Sequence, residues 1–144
     1  MANTGHTWSA WAFVKDGAGG DWDADALADN AILTSNTAIS LSGKSSCIVA
    51  VFLTEDNTGA INGNVTVAIL GDCDAAYEDP LVTGTQVGSP WAFEILPVQN
   101  DTVYKPFSVD PTSYDNFKVC VMNESGQELA VSVKYKTADI PVAS

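Results

Sequence analysis

YDNFKVCVM (114–122), NESG (123–126) and QELAVSVKYK (127–136) decide the fold class of this chain. In the first segment Phe117, Val119 and Val121 alternate with Lys118 and Cys120. In the last, Leu129, Val131, Val133 and Tyr135 alternate with Glu128, Ser132, Lys134 and Lys136. A period of two is the signature of a strand with one dry face and one wet face, and NESG between the runs is turn chemistry. The pattern predicts a β-hairpin. Upstream, SCIVAVFL (46–53) is a short, β-branched apolar run that suits a strand buried on both faces. NVTVAIL (64–70) follows an Asn62-Gly63 turn signal and sets Val65, Val67 and Ile69 on one face.

Further strands are expected at Trp8 to Val14, Ala31 to Thr34, Ala38 to Leu41, Trp91 to Leu96 and Val103 to Val109. The six prolines fall between these segments or at their ends. No window carries a capped apolar stripe of period 3.6, although Asp23 to Asn30 and Asp74 to Asp79 could each form one helical turn. Seven or eight short strands with turns between them describe an all-β, two-sheet antiparallel β-sandwich, jelly-roll-like or immunoglobulin-like. At 144 residues the chain fits a single domain over 1–144, with extended arms possible at 1–14 and 137–144.

Charge narrows the function classes. Eighteen carboxylates against six lysines give a formal charge of −12, and there is no arginine. Phosphate and base recognition rest on a cationic face and on arginine's planar fork, so neither nucleic acid nor an anionic membrane is expected as a partner. The first residues lack the basic start and apolar core of a signal peptide, and no apolar run has the length of a membrane helix. Cytoplasmic synthesis is expected, so Cys47, Cys73 and Cys120 read as reduced, mostly buried thiols. The sequons at Asn64, Asn100 and Asn123 carry little meaning without a secretion route.

Catalytic chemistry finds little to work with. His6 is the one histidine, and neither a nucleophile elbow nor a glycine-rich phosphate loop occurs. No enzyme activity and no cofactor are expected. Asp21, Asp23 and Asp25 open like a calcium loop, but Ala26 stands where the turn needs glycine and Ile32 where a bidentate glutamate belongs. A solvated acidic loop is the favoured reading, with a bound calcium ion as its alternative. Asp72, Asp74, Glu78 and Asp79 form a second acidic loop.

The aromatics offer a binding handle. Trp8, Trp11 and Phe13 lie together near the N-terminus, Trp22 sits in the acidic loop, and Trp91 follows Ser89-Pro90 as an expected core residue. Trp8 and Trp11 are three apart, which places them on opposite faces of a regular strand and leaves one outward for a partner.

One resemblance adds a setting. NVTVAILGD (64–72), YEDP (77–80), PWAFEILPVQNDT (90–102) and FSVDPTSYDNFKVCVMNESGQELAVSVKY (107–135) resemble, in style and order, small β-rich structural proteins of tailed phages, the capsid decoration or head proteins. The likeness covers about half of the chain and carries no catalytic residue. It implies a virion subunit made in the host cytoplasm and bound to the major capsid protein or other virion proteins. A symmetric homo-oligomer, trimer or dimer, goes with it. Contact would come through an apolar patch, an added strand at a sheet edge or a terminal arm. A tail or fibre module shares the same features, and a carbohydrate-binding β-sandwich is the alternative from another class.

Overall fold

The computed structural model describes residues 7–55, 59–72 and 92–140. Among them are ten strands and no helix: β1 Ala12–Phe13, β2 Asp25–Leu27, β3 Ile32–Thr34, β4 Ile39–Ser40, β5 Lys44–Thr54, β6 Val65–Asp72, β7 Ala92–Ile95, β8 Thr102–Val109, β9 Asn116–Asn123 and β10 Leu129–Asp139. They form two antiparallel five-stranded sheets. The first runs β1-β10-β5-β8, with β2 also on β10; the second runs β3-β9-β6-β7, with β4 also on β9. This is a β-sandwich, as the alternation predicts.

Period-two patterning builds the core. Val49, Val51, Leu53, Val131 and Val133 of the first sheet face Val65, Val67, Ile69, Phe117, Val119 and Val121 of the second, and all are buried. Phe93 of β7 meets Phe107 of β8 edge-to-face with centroids 4.7 Å apart, joining the sheets on one side. At about 25 cal/mol per Å² of apolar surface removed from water, such an interlayer is the main driving force of folding. The outer face of the second sheet carries a smaller cluster of Ala68, Leu70 and Cys120, with Ile32 packed against it. The outer side of β5 is only partly covered, for Ile48 and Phe52 are half-buried.

The two runs around NESG are strands but not partners. β9 pairs with β6, β3 and β4, whereas β10 pairs with β5, β1 and β2, so NESG crosses from one sheet to the other instead of closing a hairpin. Asn123 makes this corner. Its buried amide donates to Leu27 O at 2.9 Å and Gln127 O at 2.7 Å, and its Oδ1 accepts from Ser125 N and Ser125 Oγ. Gly126 follows with φ of 88°, a left-handed conformation that suits glycine.

Three other expectations change. Asp23 to Asn30 is no helical turn: residues 25–27 form β2, held in register against Leu129 to Val131. Pro106 lies inside β8 rather than at its end, which is tolerated because β8 is an edge strand among the described residues. The described parts of the expected arms lie on the sheet, since Trp8 bridges Ala138 and residues 137–139 belong to β10. His6, Cys73, the Asp74 to Asp79 turn with its acidic loop, and Trp91 lie outside the described residues, as does the side chain of Asp72.

Candidate functional site

The outer face of the first sheet is a grid set by register. Across β1, β10, β5 and β8 the outward positions run Phe13, Lys134, Ala50 and Pro106, with Ser132, Phe52 and Tyr104 on one side of that row. On its other side Trp11 stands beside Lys136, Ile48 and Ser108, and beyond it Trp8 bridges Ala138 next to Ser46. Eight residues at about 3.3 Å and three strand spacings at about 4.8 Å give an area of roughly 26 by 14 Å.

The N-terminal segment reaches this face through an irregularity. Unbroken register from Ala12 and Tyr135 would set Ser9 opposite Ala138, but Trp8 takes that place. One extra residue is therefore accommodated before β1, as in a β-bulge. Ser9 pins the displaced backbone, its N–H donating to Thr137 O at 2.8 Å and its Oγ accepting from Thr137 N at 3.0 Å. Trp8 and Trp11 consequently share the outer face rather than opposing one another. They are 38% and 45% exposed, and Phe13 is half-buried beside them.

Lysines are threaded between these rings. The Lys136 ammonium lies 5.0 Å from the ring centroids of both Trp8 and Trp11, and that of Lys134 lies 4.8 Å from Phe13 and 5.8 Å from Phe52. Phe52 in turn stacks on Tyr104, itself 65% exposed, with centroids 5.4 Å apart. Each ammonium over a ring is worth about 0.5–1 kcal/mol at an exposed site, and the lysine stems cover apolar surface between the rings. The face is amphipathic.

A shallow cleft of about 290 Å³ opens beside Trp8, lined also by Ser45, Ser46, Ile48, Ser108 and Asp110. Hydrogen bonds from the backbone and hydroxyl of Thr112 hold the Asp110 carboxyl below the ordinary carboxylate range, so it is an anion at neutral pH.

The acidic loop organises itself differently from a cation site. Asp21 forms an ion pair with Lys15 at 2.6 Å, Asp23 lies beside Ser132, and Asp25 belongs to β2 with its carboxyl bonded to that of Asp16. The three candidates do not converge, and among the described residues no group of three or more histidine, cysteine or acidic side chains is placed to hold a metal ion. Trp22, from the same loop, is fully buried in the core rather than exposed.

No protein-family model matches the chain, and no curated protein matches it either. The aromatic face stands on its geometry alone. Of its members Trp8, Trp11 and Phe13 are legible as candidates from sequence; Phe52, Tyr104, Lys134 and Lys136 are not singled out there. The signal for them was available, because each occupies an outward position of a run whose alternation predicts a strand.

Proposed function

We propose that this chain is a non-enzymatic assembly subunit that binds a protein surface through the outer face of β1, β10, β5 and β8. The observation that carries the reading is the joint exposure of Trp8 and Trp11 on one sheet face, extended by Phe13, Phe52 and Tyr104. Tryptophan and tyrosine are the residues that concentrate binding energy at protein contacts, because they bury large areas with few rotors to freeze. The footprint is of the same order as the largest apolar patch on a typical monomer, roughly 300–600 Å², a size that is often functional.

The resemblance to tailed-phage structural proteins supplies the setting: a decoration or cement subunit on the outer surface of a capsid, in contact with the major capsid protein. Strand addition is a poor route to that contact. Among the described residues β8 is the long edge of the first sheet, and Lys105-Pro106 at its middle places a charge and a missing N–H where a new strand would pair. Face-on docking fits better. Quantitative mass spectrometry of purified particles tests the setting: about one copy per three capsid subunits or more supports decoration of the shell. A few copies per particle would point to a tail or fibre, and absence would contradict a virion role.

A second reading has its own observation. The cleft beside Trp8 joins an indole wall to Ser45, Ser46, Ser108 and the Asp110 carboxylate, the combination of ring face and hydroxyl-binding groups that suits a sugar. Glycan titration followed by tryptophan fluorescence tests it, and an unchanged emission across neutral oligosaccharides would count against it.

A further inference from the structure

The centre of the docking face carries charge opposite to that of the chain. The molecule carries eighteen carboxylates and six lysines, yet the three central rows of outward positions on β1, β10, β5 and β8, those of Ser132, Lys134 and Lys136, hold two lysines and no carboxylate; Asp23 beside Ser132, Asp110 in the cleft by Trp8 and Asp139 on Lys44 lie at the margins. Lys15 and Lys44 are engaged by Asp21 and Asp139 at 2.6 Å each. Lys134 and Lys136 have only aromatic rings beneath them among the described residues. A chain this acidic places carboxylates over most of its surface by composition alone. Three central rows free of them, with two cations in their midst, have the electrostatic form of a surface complementary to anions.

We infer that the protein surface taken by this face is itself acidic, and that Lys134 and Lys136 are its ion-pairing positions. The inference rests on reading the face as a protein-docking surface. An acidic polypeptide is favoured because the rings around each lysine would cover the apolar stems of glutamates while the ammonium meets the carboxylate. Long-range repulsion from the rest of the chain does not prevent this. At physiological salt the Debye length is about 8 Å; Asp23, beside Ser132, is about four residues or 13 Å along the strand from Lys136 and about two residues or 7 Å from Lys134, so Lys136 is the lysine it opposes least. Each ammonium is already partly desolvated by its rings, which reduces what a partner carboxylate must displace.

Lys136 lies over two indoles, so binding is readable in the intact chain without a label. The probe is a random copolymer of glutamate and tyrosine, titrated at about 20 mM and at about 300 mM salt, with tryptophan emission as the signal. The expected result is saturable binding that fades at the higher salt and weakens by about tenfold in K134E/K136E, the scale on which two exposed attractions become repulsions. A K105E/K118E variant, altered away from the face, should bind as the wild type does. Circular dichroism of each variant confirms that the sandwich is intact.

No binding by the wild type, or equal binding by K134E/K136E, would overturn the inference. Binding of hyaluronan in place of the copolymer would also overturn it and identify an anionic glycan face instead. The two readings fail separately. If W8A/W11A is lost from particles while the copolymer is not bound, the docking face stands and its acidic partner falls. If the copolymer binds through Lys134 and Lys136 but particles lack the chain, the virion setting falls and the acidic partner stands.

Discussion

Trp8 and Trp11 present their rings to one side of the sheet, with the Lys136 ammonium 5.0 Å from each centroid. Their exposure sets them apart from Trp22, which shares the N-terminal quarter of the chain but is fully buried. Trp11→Ala should therefore cost no more than about 1 kcal/mol of stability, the worth of its cation–π contact. Trp22→Ala should cost about 3–5 kcal/mol by opening a core cavity. Trp22→Phe should be far milder, since the buried indole N–H has no hydrogen-bond partner to lose among the described residues. Urea unfolding of the three variants checks the order.

Asn123 should be the least replaceable polar residue among those described. Its side chain satisfies two carbonyls and two Ser125 groups at the crossing between sheets, and it is wholly buried. Asn123→Ala leaves several of these unpaired at about 1–3 kcal/mol each, so a loss of about 3 kcal/mol is expected. Asn123→Asp should be worse, because a carboxylate would face the Leu27 and Gln127 carbonyls. Equal stability of Asp and wild type in chemical denaturation would contradict the corner's role. The same burial predicts that the Asn123 sequon cannot be glycosylated in the folded chain.

The Asp16–Asp25 pair should give stability an unusual acid profile. Burial raises the Asp25 carboxyl above its ordinary value, reinforced by the hydrogen bond to Asp16 and by the charges of Asp16 and Asp23. Burial also opposes ionisation of Asp16, but hydrogen bonds from Asp25 and from the Ala18, Gly20 and Gly19 amides outweigh it and lower that carboxyl. Asp16 thus contributes stability above the unfolded carboxylate value of 3.8, lost as pH falls below it. Asp25 contributes in the opposite sense: its protonated form favours the fold, and that contribution is lost as pH rises through its raised value. Asp25→Asn should therefore be more stable than wild type at neutral pH, with the advantage shrinking toward pH 4 and in high salt. Denaturation midpoints across that range test it; a constant difference would be the wrong result.

Cys47 and Cys120 should be silent to thiol reagents in the native state. Both are buried, and burial pushes the Cys47 thiol up to about 12, leaving almost no thiolate at neutral pH. Alkylation followed by peptide mapping should find both unmodified until denaturant is added. Rapid native labelling of Cys47 would contradict the packing of β5.

What the sequence discloses here is local, and what it hides is pairing. The alternation in 114–122 and 127–136 specifies two strands because each residue's burial is written in its own polarity. It does not specify that β9 and β10 join different sheets, since a turn and a corner both use small polar residues. The corner depends on Asn123 reaching Leu27, a contact between residues far apart in sequence. β2 is hidden because Ala26 and Leu27 are good helix formers among aspartates, and only pairing with β10 makes them a strand. For the site, Trp8, Trp11 and Phe13 stand out by residue type. Their shared face does not, because one extra residue before Ala12 shifts the parity on which such a reading depends. Lys134 and Lys136 read as ordinary solvated positions until the rings of Phe13, Phe52, Trp8 and Trp11 are placed beneath them.

The central claim is that the Trp8 and Trp11 face is where this chain meets its assembly. Oxidative footprinting of the free chain and of the chain in purified particles, quantified at Trp8, Trp11 and Tyr104, tests it most directly. The account predicts ready oxidation of all three in the free chain and strong protection in the particle, with Leu96, exposed and away from this face, unchanged. Equal oxidation of the tryptophans in both states, with protection appearing elsewhere, would contradict it.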